Sequence, residues 1–127
     1  MHGFSTTFRT MLTIGYLALL ALVSLIPGPG KPGDSAFIRL VANTPTVIQK
    51  ILHVGLYGVL TLLLAWTLDG IESETYRFLT AFIIAVAFGA LMEWGQTKVP
   101  GRYATLYDVG LNAAGAVIGL LIAFILL

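Results

Sequence analysis

Residues 107–127 read YDVGLNAAGAVIGLLIAFILL, an apolar run in which Asp108 is the one charged side chain. An α-helix needs about 20 residues to cross the hydrocarbon core of a bilayer, and this run supplies them. Three runs of similar character stand upstream, at about 9–26, 45–68 and 76–96. The 127-residue chain is 57% hydrophobic and only 10% charged, whereas a soluble domain carries about 25% charge. Lipid must therefore serve as most of its solvent. The expected fold is all-α: an integral membrane bundle of four transmembrane helices, up-down-up-down, forming a single domain over 1–127.

Punctuation between the runs agrees. The first run has a weakly basic start and no small-residue cleavage site ahead of Pro27-Gly28-Pro29-Gly30, so it reads as a retained span rather than a signal peptide. Residues 27–33 stop that helix, and Thr44-Pro45 reads as an N-cap followed by proline at the first helical position. Segment 34–42, with Phe37, Ile38, Leu40 and Val41, is too short to cross and is a candidate interfacial helix. Trp66 and Tyr76 flank one loop, and Trp94, Tyr103 and Tyr107 another, the aromatic placement expected at headgroup depth. The absence of cysteine excludes disulfides, thiolate metal sites and a cysteine nucleophile. A net charge of +1 without a Lys/Arg cluster gives no sign of a nucleic-acid partner or a polybasic lipid switch.

Antiparallel threading sorts the polar residues. Lys50, His53 and Tyr57 open the second span at spacings of three and four, on one helix face; Glu93 and Gln96 close the third; Arg102 lies in the loop that follows; Asp108 and Asn112 open the fourth. All of them fall at the same end of the bundle. With a rise of 1.5 Å per residue, Tyr57 lies about 10 Å below Lys50, so the cluster runs from the interface into the upper hydrocarbon region. Gly115 and Gly119 continue the Asp108 and Asn112 stripe, and Ala85 and Gly89 precede Glu93. These small-residue stripes are expected to face each other.

Each residue carries two readings. Glu93 and Gln96 are either a proton acceptor with its orienting donor or a helix end bonded to a neighbouring span. Asp108 is either a site acid or the acid of a capping box begun by Thr105. His53 is either a general acid or base or a hydrogen-bonded packing residue. Lys50 and Arg102 either grip an anion or snorkel to neutralise Glu93 and Asp108. Tyr57 reads as packing, and Gly115 with Gly119 as helix packing or dimerisation. His53, Glu93 and Asp108 are the catalytic candidates. Together they are plausible ligand types for a metal, but no ligand-pair spacing supports one, and no metal or cofactor is expected.

In order and spacing, Lys50-x-x-His53-x-x-x-Tyr57, Glu93-x-x-Gln96, Pro100-Gly101-Arg102 and Asp108-x-x-x-Asn112-x-x-Gly115-x-x-x-Gly119 resemble the VanZ-like membrane protein family. The resemblance covers residues 50–119. It implies a multi-pass protein of the bacterial cytoplasmic membrane and a link to resistance against the glycopeptide teicoplanin, without implying a defined reaction. Carried over by matching, Lys50, His53, Tyr57, Glu93, Gln96, Arg102, Asp108 and Asn112 form the expected binding set.

Three functions follow as expectations. One is a polar interfacial pocket that binds or modifies an anionic lipid or lipid-linked cell-envelope component. Another is a small oligomeric transporter, which would be expected to hold an acid near midplane. The last is a non-catalytic membrane assembly factor. Oligomeric state stays open. Lys31, Arg39, Lys50, Lys98 and Arg102 on the cluster side outnumber Arg9 and Arg77 on the other, which alone puts the cluster in the cytoplasm. Setting aside Lys50 and Arg102 as site residues removes that bias, and the resemblance favours an outward-facing cluster with the N-terminus inside.

Overall fold

A computed structural model describes residues 3–25, 36, 46–98 and 106–127. Four helices cover most of them: α1 (Thr6–Ser24), α2 (Thr46–Thr67), α3 (Glu74–Gln96) and α4 (Leu106–Leu126). Each is long and apolar enough to cross a membrane, and no strand occurs among the described residues. The fold is the expected all-α, four-span, up-down-up-down bundle. The candidate interfacial helix 34–42, apart from Ala36, and the Thr44-Pro45 cap lie outside the described residues.

Two helices begin ahead of their apolar windows because polar caps precede them. Ser5 accepts from the Phe8 amide at 3.1 Å and Ser73 from the Tyr76 amide at 3.4 Å, each satisfying an amide that the first helical turn leaves without an intrahelical acceptor. Glu74, in the first turn of α3, also sits at the positive end of the helix dipole.

Packing is densest between α2 and α4; α3 packs on both, and α1 lies mainly against α2. Glycine sets the closest approach. A Cβ added at Gly115 would stand 2.3 Å from the Val54 carbonyl oxygen, and one at Gly119 would stand 2.3 Å from that of Gly58. The α4 glycine stripe therefore faces α2. This corrects the expectation for the α4 stripe, which faces α2 rather than α3; Gly89 of α3 does face α4, at Asn112, as well as Tyr57 of α2. Between two apolar helices in lipid, attraction comes chiefly from packing, so the pair with the smallest side chains approaches most closely.

The core is small and layered: Tyr57, Leu60, Leu64 and Ala65 from α2 meet Ala81 and Ala85 from α3, Ala116 and Ala123 from α4, and Leu20 from α1. Large apolar side chains such as Ile51, Leu22, Phe124 and Ile125 point outward, as lipid-facing positions require. Tyr76, Trp94 and Tyr107 are exposed near helix ends, in keeping with interfacial placement. Trp66 departs from that pattern. It is buried, with the Arg9 guanidinium 4.9 Å over its ring.

Candidate functional site

The N-terminal half of α2 brings Lys50, His53 and Tyr57 down one face towards the bundle axis. Lys50 is half-buried, and its Nζ lies 4.7 Å over the Tyr107 ring at the start of α4, a cation–π contact near the mouth of the cluster. His53 follows one turn deeper. Its Nδ1 is 2.7 Å from Asn112 Oδ1, a side-chain hydrogen bond that joins α2 to α4. Tyr57 is next, only 1% exposed, with its ring nearly parallel to that of His53 at a centroid distance of 6.2 Å. Glu93 of α3 and Tyr16 of α1 both lie within electrostatic reach of Tyr57.

Asn112 is 1% exposed, and its amide fits because residue 89 lacks a side chain. A Cβ on Gly89 would come within 2.8 Å of Asn112 Nδ2 and 3.0 Å of Tyr57 Cε1. Nδ2 finds no acceptor among the described residues. A buried donor left in that state costs about 1–3 kcal/mol. Glu93 stands one turn beyond Gly89 on α3 and is 4% exposed. Asp108 is half-buried in the first turn of α4.

His53 and Asn112 are therefore joined directly, with Lys50 one turn above, Tyr57 one turn below, and Glu93 within electrostatic reach of Tyr57. Gln96 takes a different direction: its Nε2 donates to the Ser24 carbonyl at 2.8 Å, tying the C-terminal end of α3 to that of α1. It is placed as a tie between helices, which is the second of its two readings. Arg102 and the Thr105 of the proposed capping box lie outside the described residues. Among the described residues no three His, Asp or Glu side chains gather as a metal-ligand group.

The opposite end of the bundle holds a second polar set that the spacing argument did not single out. Arg9 is 6% exposed and donates through Nη1 to the Trp66 carbonyl and to Asp69 Oδ2, both at 3.0 Å. Thr13 and Thr67 hydroxyls meet at 2.6 Å, Thr67 Oγ1 donates to the Arg9 carbonyl, and Arg77 Nε donates to the Ala65 carbonyl. Arg9 and Thr13, four apart on one helix face, were the available signal. Two of these contacts, from Arg9 and Arg77, reach backbone carbonyls near the C-terminal end of α2, which lack intrahelical donors.

Fold and cluster together define a multi-pass membrane protein with a buried polar group under one leaflet and a structural clasp under the other. More specifically, the chain belongs to the VanZ/LLP1 family, whose model matches residues 8–127. The match extends well beyond the 50–119 resemblance and takes in α1. No curated protein and no solved structure matches the chain.

Proposed function

We propose that this is a protein of the bacterial cytoplasmic membrane whose polar end binds the anionic headgroup of a lipid or lipid-linked cell-envelope component. In this reading Lys50 and Arg102 supply the cationic grip, while His53, Glu93, Asp108 and Asn112 line the site. The supporting observation is the His53–Asn112 hydrogen bond, held beneath Lys50 while Asn112 Nδ2 keeps an unused donor.

The competing functions are less well supported. A transporter would be expected to carry an ionisable group near midplane, and the charged side chains of the described residues all lie towards helix ends or in loops. An assembly factor would be expected to offer its small-residue stripe to a partner, and Gly115 and Gly119 are already covered by α2. With the N-terminus inside, the cluster faces outward, where a component relevant to teicoplanin resistance would be met.

Reconstitution in nanodiscs, with native mass spectrometry of the retained lipid, tests this proposal. Phosphatidylglycerol is expected to be retained in preference to phosphatidylcholine, and Lys50→Gln combined with Arg102→Gln to remove the preference. In cells, alanine at Glu93, Arg102 and Asp108 should abolish any family-linked glycopeptide phenotype. A folded triple variant with the phenotype and the lipid preference intact would end the proposal.

A further inference from the structure

The hydrogen bond between His53 and Asn112 has one direction. It runs 2.7 Å from Nδ1 to Oδ1, and an amide oxygen accepts but cannot donate, so the proton sits on Nδ1. The Nδ2 end of the amide lies over Gly89 on α3, and the oxygen faces His53.

In the neutral ring, Nε2 then holds a lone pair and is an acceptor. A histidine side chain in water prefers the opposite tautomer, with the proton on Nε2, so Asn112 selects the form. Stacking on Tyr57, at 6.2 Å and 9°, holds the plane of the ring, and the absence of a Cβ at Gly89 seats the amide. Lys50 stands one turn above, about 4.5 Å along the helix axis, half-buried against Tyr107. α2 therefore carries a cation near its N-terminal end and an acceptor nitrogen one turn further in.

We infer that this pair recognises a phosphoester with a hydroxyl group a few bonds from the phosphorus, as in glycerol or sugar phosphates. The phosphate meets Lys50, and the hydroxyl donates to His53 Nε2. Asn112 is the positioning residue. The inference rests on the headgroup reading above and narrows it: an anionic headgroup without a hydroxyl satisfies Lys50 and leaves Nε2 without a donor.

The binding test compares phosphatidylglycerol with phosphatidylmethanol, equally anionic but without a hydroxyl, as guests in phosphatidylcholine nanodiscs. Wild type is expected to retain phosphatidylglycerol roughly fivefold better, the worth of one net hydrogen bond. His53→Phe should bring that ratio to one while the preference of both anionic lipids over phosphatidylcholine persists. Equal retention of the two anionic lipids by wild type, or an unchanged ratio in His53→Phe, overturns the hydroxyl assignment. Loss of every anionic preference in wild type instead overturns the headgroup reading beneath it. Glycerol 3-phosphate added to phosphatidylcholine discs separates a soluble phosphoester from a membrane-borne one, and binding of either supports the recognition chemistry.

An independent readout needs no core substitution. The chain has two histidines, so His2→Gln leaves His53 alone for nitrogen-15 NMR. The spectrum should show Nδ1 protonated and Nε2 carrying the lone pair. Asn112→Asp, which keeps an acceptor, should preserve that pattern, and Asn112→Leu should lose it. The Nε2–H tautomer in the His2→Gln protein would refute the positioning role outright.

Discussion

Alanine at Gly115 or Gly119 tests the geometry on which the site depends. Each new Cβ would stand 2.3 Å from a backbone carbonyl oxygen of α2, Val54 for the first and Gly58 for the second. Carbon and oxygen tolerate about 3.3 Å at closest, so each contact is too short by about 1 Å. Carbonyl oxygens have no rotamer to escape into; α2 and α4 must move apart. Separations of 0.5–1 Å forfeit about a quarter to a half of each dispersion contact, and overpacking of this kind costs about 1–3 kcal/mol. The reference is Gly110→Ala, since nothing lies within 4 Å of a Cβ there. It carries the same change in helix propensity, about 1 kcal/mol in a soluble helix. Reversible unfolding in mixed micelles with increasing SDS, followed by circular dichroism, gives the comparison. One helix displacement relieves both clashes, so the Gly115→Ala, Gly119→Ala pair should cost less than the sum of the singles. The same movement would stretch the 2.7 Å His53–Asn112 bond beyond hydrogen-bonding range, so the His53 tautomer should become mixed. Unfolding midpoints for both variants equal to that of Gly110→Ala would refute the close approach of α2 and α4.

Further outcomes follow from other contacts. Gly89→Ala pushes a Cβ to within 2.8 Å of Asn112 Nδ2; it should cost about 1–3 kcal/mol in the same unfolding assay and weaken retention of phosphatidylglycerol. Arg9→Leu removes hydrogen bonds to Trp66 and Asp69, for a loss of about 1–3 kcal/mol, and a double-mutant cycle with Asp69→Asn should show positive coupling; additivity would mean the ion pair contributes nothing. Gln96→Leu leaves the Ser24 carbonyl without that donor and should cost about 1 kcal/mol. Cysteines at Leu25 and Gly95, introduced into a chain that has none, test the α1–α3 contact by cross-linking, since a Cβ at 95 lies 3.1 Å from Leu25 Cδ2. Reduced cross-linking on adding Gln96→Leu would place that hydrogen bond in control of the α1–α3 contact.

Four spans were legible because hydropathy and length suffice for them, and threading alone put the polar residues of α2, α3 and α4 at one end. Partner choice was less legible. The stripe Gly115–Gly119 advertised a close approach, but nothing in one helix says which neighbour will fill it; the answer lay in Gly58, whose lack of a side chain lets α2 complete the fit. Gln96 shared the spacing of a site residue with Glu93. Only the position of the α1 C-terminal end showed that its amide bonds Ser24. Trp66 followed the aromatic pattern of an interface, yet a buried arginine on a distant helix draws its ring inward. Each of these depends on a contact between helices far apart in sequence, which local spacing does not encode.

The two ends of the bundle hold similar polar residues and use them differently. At the Arg9 end two donors, Arg9 Nη1 and Arg77 Nε, reach carbonyls at the close of α2, and α1 is fastened there through Arg9, Thr13 and Thr67. Such bonds meet an obligation that every helix terminus carries, so they need no ligand to account for them. At the His53 end Gln96 likewise reaches a carbonyl at the close of α1, but His53, Asn112 and Lys50 join side chain to side chain: imidazole to amide, ammonium to aromatic ring. None of the latter relieves a helix terminus. Inside a bilayer an apolar pair at positions 53 and 112 would hold α2 to α4 by packing alone, as the glycines one and two turns deeper already do. Histidine and asparagine at those positions add orientation to a contact that did not require them for adhesion, and orientation of an acceptor beneath a cation is what recognition of a headgroup demands.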